Sequence, residues 1–257
     1  MTGTALQSCD LLVLCGGQGT RLRSVVHDRP KPMAPVGDRP FLEFVIAPLV
    51  AQGIRRVILC TGYMSQQVEQ WFLAQKHDYE LLFSREARPM GTAGALAQAA
   101  HLVQSKAVLV VNGDSVCDVH LAGLLDHHRA TGACATITLT PATARTDAGC
   151  VEMNADTRLT GFQEKGPATL SSFHNAGIYV FDRSVLSRIP AERPSSIETD
   201  LLPALLDQGL YGYVTEAPLF DIGTPERLTQ FRTHVESLAP AAMAGASASP
   251  DRRRPRS

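Results

Sequence analysis

The chain has 257 residues, 44% hydrophobic and 19% charged, which is enough length and apolar content for a full core in one large domain or two small ones. Lysine and arginine total 24 against 25 acidic residues, a formal net charge of −1. Residues 237–257 hold four arginines against Asp251, so the body without them stands near −4, the wrong sign for a reader of nucleic-acid backbones. No run approaches about 18 uninterrupted apolar residues, and MTGTALQSCD lacks a basic start followed by an apolar stretch, so neither a membrane span nor export is expected and the chain is read as cytoplasmic.

In chain order, β-rich runs alternate with helix-like stretches. Strands are predicted at residues 11–15, 56–60, 80–83 and 107–112, and helices at 41–52, 65–73 and 93–103, the pattern of an α/β fold with a mainly parallel sheet. Ser65 is expected to cap the second helix and Gly53 to stop the first, with Pro48 kinking or shortening it. The rhythm then changes: strands at 135–140, 150–153, 159–163 and 178–181 have fewer helices between them and read as a mixed-sheet extension. A helix at 198–206, a strand near 211–214 and a closing helix from Pro225 to about Glu236 complete a single domain, 1–236, with halves at about 10–115 and 116–236. Residues 237–257, rich in Ala, Ser and Pro, read as a disordered tail.

The six cysteines form no C-x-x-C pair and several lie in apolar runs, which suits reduced, buried thiols. The neighbours His127 and His128 point in different directions on a helix, so zinc chemistry is not expected.

Chemistry is written first in Cys15-Gly16-Gly17-Gln18-Gly19-Thr20-Arg21-Leu22, directly after the first strand. Three glycines in four positions let backbone N–H groups approach a phosphate, and Thr20 and Arg21 add a hydroxyl and a planar cation. The spacing is neither a dinucleotide-binding nor a P-loop pattern. Lys31 follows, its backbone restricted by Pro30 and Pro32, as a point charge suited to phosphate. Asp114 ends the apolar run AVLVVNGD, and Asp221 precedes Ile222-Gly223; acids at strand tips beside a glycine-rich loop either bind a cation or cap a turn.

These elements resemble the sugar-phosphate nucleotidyltransferases. The opening G-G-x-G-T-R-L and P-K-P stand at Gly16 to Leu22 and Pro30 to Pro32, with further matches at Gly91-Thr92-Ala93-Gly94-Ala95, Asn112-Gly113-Asp114, Phe162-Gln163-Glu164-Lys165, Asn175-Ala176-Gly177 and Asp221-Ile222-Gly223-Thr224-Pro225. The likeness covers about residues 10–235, and Arg21 to Val36 looks most like the heptose 1-phosphate guanylyltransferases.

The resemblance implies a Rossmann-like, mainly parallel sheet flanked by helices with a strand-rich sugar-binding extension. It also implies transfer of a nucleotidyl group from a nucleoside triphosphate, GTP favoured, to a sugar 1-phosphate, heptose favoured, with loss of pyrophosphate. It assigns Arg21, Lys31, Asp114, Lys165 and Asp221 to catalysis, with Mg²⁺ on Asp114 and Asp221. Gly16, Gly17, Gly19, Thr20, Glu86, Gly91, Thr92 and Gly113 fall to the nucleotide, and Gly149, Glu164, Lys165 and Asn175 to the sugar phosphate. Small residues opening a helix at Gly91 to Gly94 are expected to leave N–H groups facing a flat ring. Mannose-1-phosphate guanylyltransferase, glucose-1-phosphate nucleotidyltransferase and heptose-1-phosphate adenylyltransferase are the alternatives, with a non-catalytic nucleotide-sugar sensor as a different class. No nucleic acid or membrane partner is expected, and a homo-oligomer is left open.

Overall fold

Strand β1 (Asp10–Leu14) is apolar on both faces, so it belongs inside a sheet covered from two sides. The computed structural model, which describes residues 6–22, 25–142, 150–163 and 173–246, places it there. β2 (Pro35–Val36) and β3 (Arg39–Pro40) make a short hairpin before α1 (Phe41–Ala51). Then come β4 (Arg56–Thr61), α2 (Ser65–Leu73), β5 (Glu80–Arg85), α3 (Gly91–Ala99) and β6 (Ala107–Asn112). β7 (Ser115–Cys117), α4 (Leu121–Ala130), β8 (Ala135–Pro141), β9 (Cys150–Met153), β10 (Leu159–Gln163) and β11 (Phe173–Asp182) follow. The chain ends with α5 (Arg183–Leu186), a π-helical turn Ile197–Leu201, α6 (Leu202–Leu205), β12 (Leu210–Val214), β13 (Leu219–Asp221) and α7 (Pro225–Ala246).

β6, β1, β4 and β5 lie side by side in parallel. β11 adds antiparallel to β6, β8 to β11, and β12 runs parallel to β8. The first residues of β11 pair with β9, which carries β10, so the strand-rich extension grows from the same edge of β11 that β6 occupies further along. Because side chains alternate along a strand, Leu11, Val13, Val57, Leu59, Leu109 and Val111 enter one core. Leu12, Ile58, Cys60, Val108 and Val110 enter the other. Phe41, Phe72, Leu124 and Phe231 from α1, α2, α4 and α7 cover the first; Leu96, Val185 and Leu202 from α3, α5 and α6 cover the second. The expected α/β architecture, with its mixed extension, is what the chain adopts.

Several boundaries differ for physical reasons. Ser65 does not cap α2: the cap position is Met64, in the left-handed region at φ 51°, and Ser65 is the first helical residue and buried. Pro48 does not break α1, which continues to Ala51 before Gly53 ends it at φ +117°. The predicted 178–181 strand is only the end of β11, whose register shifts between Asn175 and Tyr179, around Gly177 at φ +73°. The helix expected at 198–206 is a π turn followed by one α turn. α7 runs past Glu236 to Ala246, so the tail expected from 237 is helical over its first part; alanine-rich composition favours helix as well as low complexity. Helix α4 is an addition to the expected elements, although Leu121, Leu124, Leu125 and His128 recur at helical spacing and are its buried face; β7 and β13, three residues each, are too short to show a period. The last eleven residues lie outside the described region.

Candidate active site

The carboxyl ends of β1, β4 and β6 open into a cavity of about 560 Å³, the position where open α/β sheets take ligands. Leu14, Cys60 and Asn112 floor it, and the loops after these strands form its walls. Gly16, Gly17, Gly19, Lys31, Glu86, Gly91, Thr92 and Asp114, all expected from sequence, line it together. Gly113 is buried immediately beneath, its N–H donating to Leu14 O at 2.9 Å.

The first glycine loop lies against the loop after β4. Tyr63 N donates to Gly16 O at 2.9 Å, and a Cβ on Gly62 would sit 2.8 Å from that same oxygen and 3.0 Å from Glu86 Oε2, so only glycine allows this approach. Gly19 has φ +56°, and a Cβ there would meet Lys31 Cβ at 2.5 Å. Loop and lysine are thus packed as one unit. Gly17 has open space around its Cα, and Thr20 and Arg21 continue as a 3₁₀ turn with both residues exposed.

Lys31 Nζ donates to Asp114 Oδ2 at 2.5 Å, the lysine side chain being far less exposed than the carboxylate. The other Asp114 oxygen accepts from Ser115 Oγ at 3.2 Å. The β13–β7 ladder sets Asp221 opposite Ser115, and Ile222 N donates to Asp114 O at 3.1 Å, so Asp221 at the end of β13 lies next to Asp114, which immediately precedes β7. Asp221 Oδ1 accepts from Gly223 N at 2.8 Å and from Arg227 Nη1 at 3.1 Å. A Cβ on Gly223 would lie 3.4 Å from Arg227 Nη1 and 3.7 Å from Arg21 Nη2, which gathers both arginines beside this acid. Arg227 is an addition to the expected site residues and lies two positions beyond the Asp221-Ile222-Gly223-Thr224-Pro225 match.

As donors, Asp114 and Asp221 suit a hard divalent cation, which takes carboxylate oxygen and, when it is Mg²⁺, typically one or two protein carboxylates with water and phosphate completing the shell. Among the described residues no group of three or more His, Cys, Asp and Glu converges, so there is no closed cage there. Burial raises Glu86 above the usual carboxylate range, although Met90 N donates to its Oε1 at 3.3 Å. Cys15 and Cys60 also line the cavity, but burial pushes the Cys60 thiol up to about 12 and Cys15 well above its ordinary value, so neither is a ready nucleophile.

The N-terminus of α3 departs from expectation. Ala93 N and Gly94 N both donate to Ser195 O, at 3.0 and 3.2 Å, so two N–H groups expected to face a ligand are engaged by the chain itself. Thr92 joins the same seam, its Oγ1 accepting from Ile197 N at 2.7 Å and donating to Glu198 Oε2 at 3.1 Å. Asn175, from the predicted sugar side, donates to Tyr179 OH at 2.8 Å, and Tyr179 OH donates to Glu198 Oε1 at 3.4 Å. Glu198 thereby links Thr92 to Asn175; nothing in its local sequence distinguishes it. Gly149, Glu164 and Lys165 lie outside the described residues.

A glycine-rich loop, a clamped lysine and two acids gather at the carboxyl edge of this α/β sheet, and the profile of the nucleotidyl transferase family matches residues 11–237. The chain belongs to that family. It is 34% identical over 218 residues to the D-glycero-alpha-D-manno-heptose 1-phosphate guanylyltransferase of Aneurinibacillus thermoaerophilus, across 84% of this chain and 94% of that protein. It is 38% identical over 226 residues to the mannose-1-phosphate guanylyltransferase of Mycobacterium tuberculosis, across 86% of this chain and 63% of that longer protein. Thus the chain spans less than two thirds of the mannose enzyme. Among solved structures, HddC from Yersinia pseudotuberculosis, complexed with GMP-PN, superposes with a TM-score of 0.77 at 26% identity, over 88% of this chain and 99% of that one. No helix among the described residues is long and apolar enough to cross a membrane.

Proposed function

We propose that the chain transfers a guanylyl group from GTP to a sugar 1-phosphate, with heptose 1-phosphate the favoured acceptor, releasing pyrophosphate. The observation that carries this reading is agreement on guanine: two relatives are guanylyltransferases, the structural neighbour holds GMP-PN, and the cavity contains a half-buried carboxylate, Glu86. A carboxylate accepts from the N1–H and 2-amino donors on the edge of guanine, a pattern that no other common base presents. A second acceptor, mannose 1-phosphate, is supported by the 38% identity to the mannose enzyme.

The reaction is an in-line attack of a sugar-phosphate oxygen on the α-phosphorus, needing no covalent enzyme intermediate because the nucleophile is already anionic. The chain's contribution is positioning and charge neutralisation. Backbone N–H groups around Gly16, Gly17 and Gly19 approach the triphosphate, and Arg21 and Lys31 balance charge on it and on departing pyrophosphate. Asp114 and Asp221 would hold Mg²⁺, which would supply electrophilic charge to phosphate oxygens. Asn175 with Gly149, Glu164 and Lys165 receives the sugar phosphate. The test is a panel of sugar 1-phosphates crossed with the four nucleoside triphosphates, read by pyrophosphate release. Turnover with GTP and heptose 1-phosphate above every other pair is expected, and preference for another base overturns the assignment of guanine.

A further inference from the structure

We infer that Lys31 competes with the catalytic cation for Asp114, and that transfer of Lys31 to the triphosphate opens this carboxylate to the metal. This rests on the proposed roles of Asp114, Asp221 and Lys31. Its first support is the tightness of the pair: Nζ lies 2.5 Å from Asp114 Oδ2, and Ser115 Oγ occupies the other oxygen at 3.2 Å, so both oxygens are engaged. Its second is the way Lys31 is held. The stem packs on Gly19 where a Cβ would stand 2.5 Å away, and the residue begins a 3₁₀ turn between Pro30 and Pro32. A lysine so restrained reaches both the glycine loop and Asp114 by small changes at its tip.

The third support is charge balance. Asp221 is matched by Arg227 as Asp114 is by Lys31. A divalent cation arriving alone meets two carboxylates whose charge is already matched and competes with Lys31 for one of them, whereas a triphosphate offers Lys31 an alternative anion. Each ligand therefore removes an obstacle to the other, and linkage makes the effect reciprocal. The site would take cation and nucleotide together and hold neither firmly alone.

Mn²⁺ is the probe, its free concentration read by electron paramagnetic resonance in the full chain with no sugar phosphate present. Wild type should bind Mn²⁺ weakly alone and at least about tenfold more tightly with a non-hydrolysable GTP analogue, a coupling of ordinary size. Lys31→Met should bind Mn²⁺ alone about tenfold more tightly than wild type and lose most of the enhancement. Lys31→Gln provides the same reading should the methionine variant fail to fold. Variants that bind Mn²⁺ alone no better than wild type, while wild type binds it with the analogue, overturn the competition but leave the cation assignment standing. No Mn²⁺ binding by wild type even with the analogue overturns both.

Discussion

Asp221 stands opposite Ser115 across the β13–β7 ladder, so the residue following Asp114 is the ladder partner of an acid more than a hundred positions away. This short antiparallel pair lies outside the large sheet and joins the loop after β6 to the segment leading into α7. It brings Asp221 close to Asp114 through backbone pairing, Ile222 N donating to Asp114 O at 3.1 Å.

Replacing either acid should therefore be felt at the same step. Asp114→Asn and Asp221→Asn are each expected to lower turnover by about 10²-fold or more, the scale of losing a main electrostatic stabiliser. Pyrophosphate release by folded variants checks this, and near-normal rates in both would remove these acids from the reaction.

Glu86 provides a pH test of base recognition. Burial raises its pKa, so its carboxylate becomes neutral at a higher pH than an ordinary glutamate, and a protonated acid loses acceptor capacity toward guanine. GTP affinity should fall on acidification, beginning above the usual glutamate range. Glu86→Gln should weaken GTP by about 10- to 150-fold at neutral pH, as for a charge-assisted contact, and flatten the acid limb. Calorimetry between pH 5 and 8, on the order of three units, resolves both effects.

What could be read from sequence followed from local chemistry. Leu11 to Leu14 and Val108 to Val111 are apolar on both faces, which announces buried parallel strands, and the glycine loop and Lys31 lie within one short stretch. Glu198 stayed hidden because its partners Thr92 and Asn175 are distant in sequence and the π turn that presents it has no local signature. Arg227 needed the β13–β7 pairing to acquire meaning. Asp10 shows the converse difficulty: it too is an acid at a strand end, yet it sits at the opposite end of the sheet from the cavity.

Asp10 is accordingly a test of stability. It is buried, pairs with Arg56 Nη1 at 2.8 Å and accepts from Gln104 N at 2.5 Å and Ser105 N at 2.8 Å. Asp10→Ala leaves the Gln104 and Ser105 N–H groups without their acceptor, while Arg56 keeps Glu80 Oε2 at 2.8 Å and Leu102 O, and should cost about 1–3 kcal/mol for each orphaned donor. Urea unfolding measures it, and a loss below 1 kcal/mol, roughly that of an exposed pair, would contradict the burial argument.

His128 governs part of the acid response. It is buried with Nδ1 on Thr136 Oγ1 at 2.9 Å, and burial pushes its pKa down to about 4. Between the ordinary value near 6.5 and about 4, the unfolded chain binds the proton and the folded chain does not, so stability falls as pH drops through this window. The loss attributable to this residue is about 3 kcal/mol. Unfolding free energies across that range should show the slope in wild type and a shallower one in His128→Gln.

Tyr179 connects the network around Glu198. Its ring is fully buried, stacked on Phe181, while its hydroxyl accepts from Asn175 Nδ2 and donates to Glu198 Oε1. Tyr179→Phe keeps the ring and removes the hydroxyl, leaving a half-buried amide and carboxylate oxygen to find other partners, at a cost of about 1 kcal/mol. If Asn175 serves the sugar phosphate and the glycine loop serves the triphosphate, the change should raise the KM for the sugar 1-phosphate severalfold while GTP binding measured alone stays within about twofold, a change under about 0.4 kcal/mol. A variant that lost GTP affinity with an unchanged sugar KM would place Asn175 on the nucleotide side. A variant as stable as wild type in urea would show that the hydroxyl's two bonds contribute nothing net.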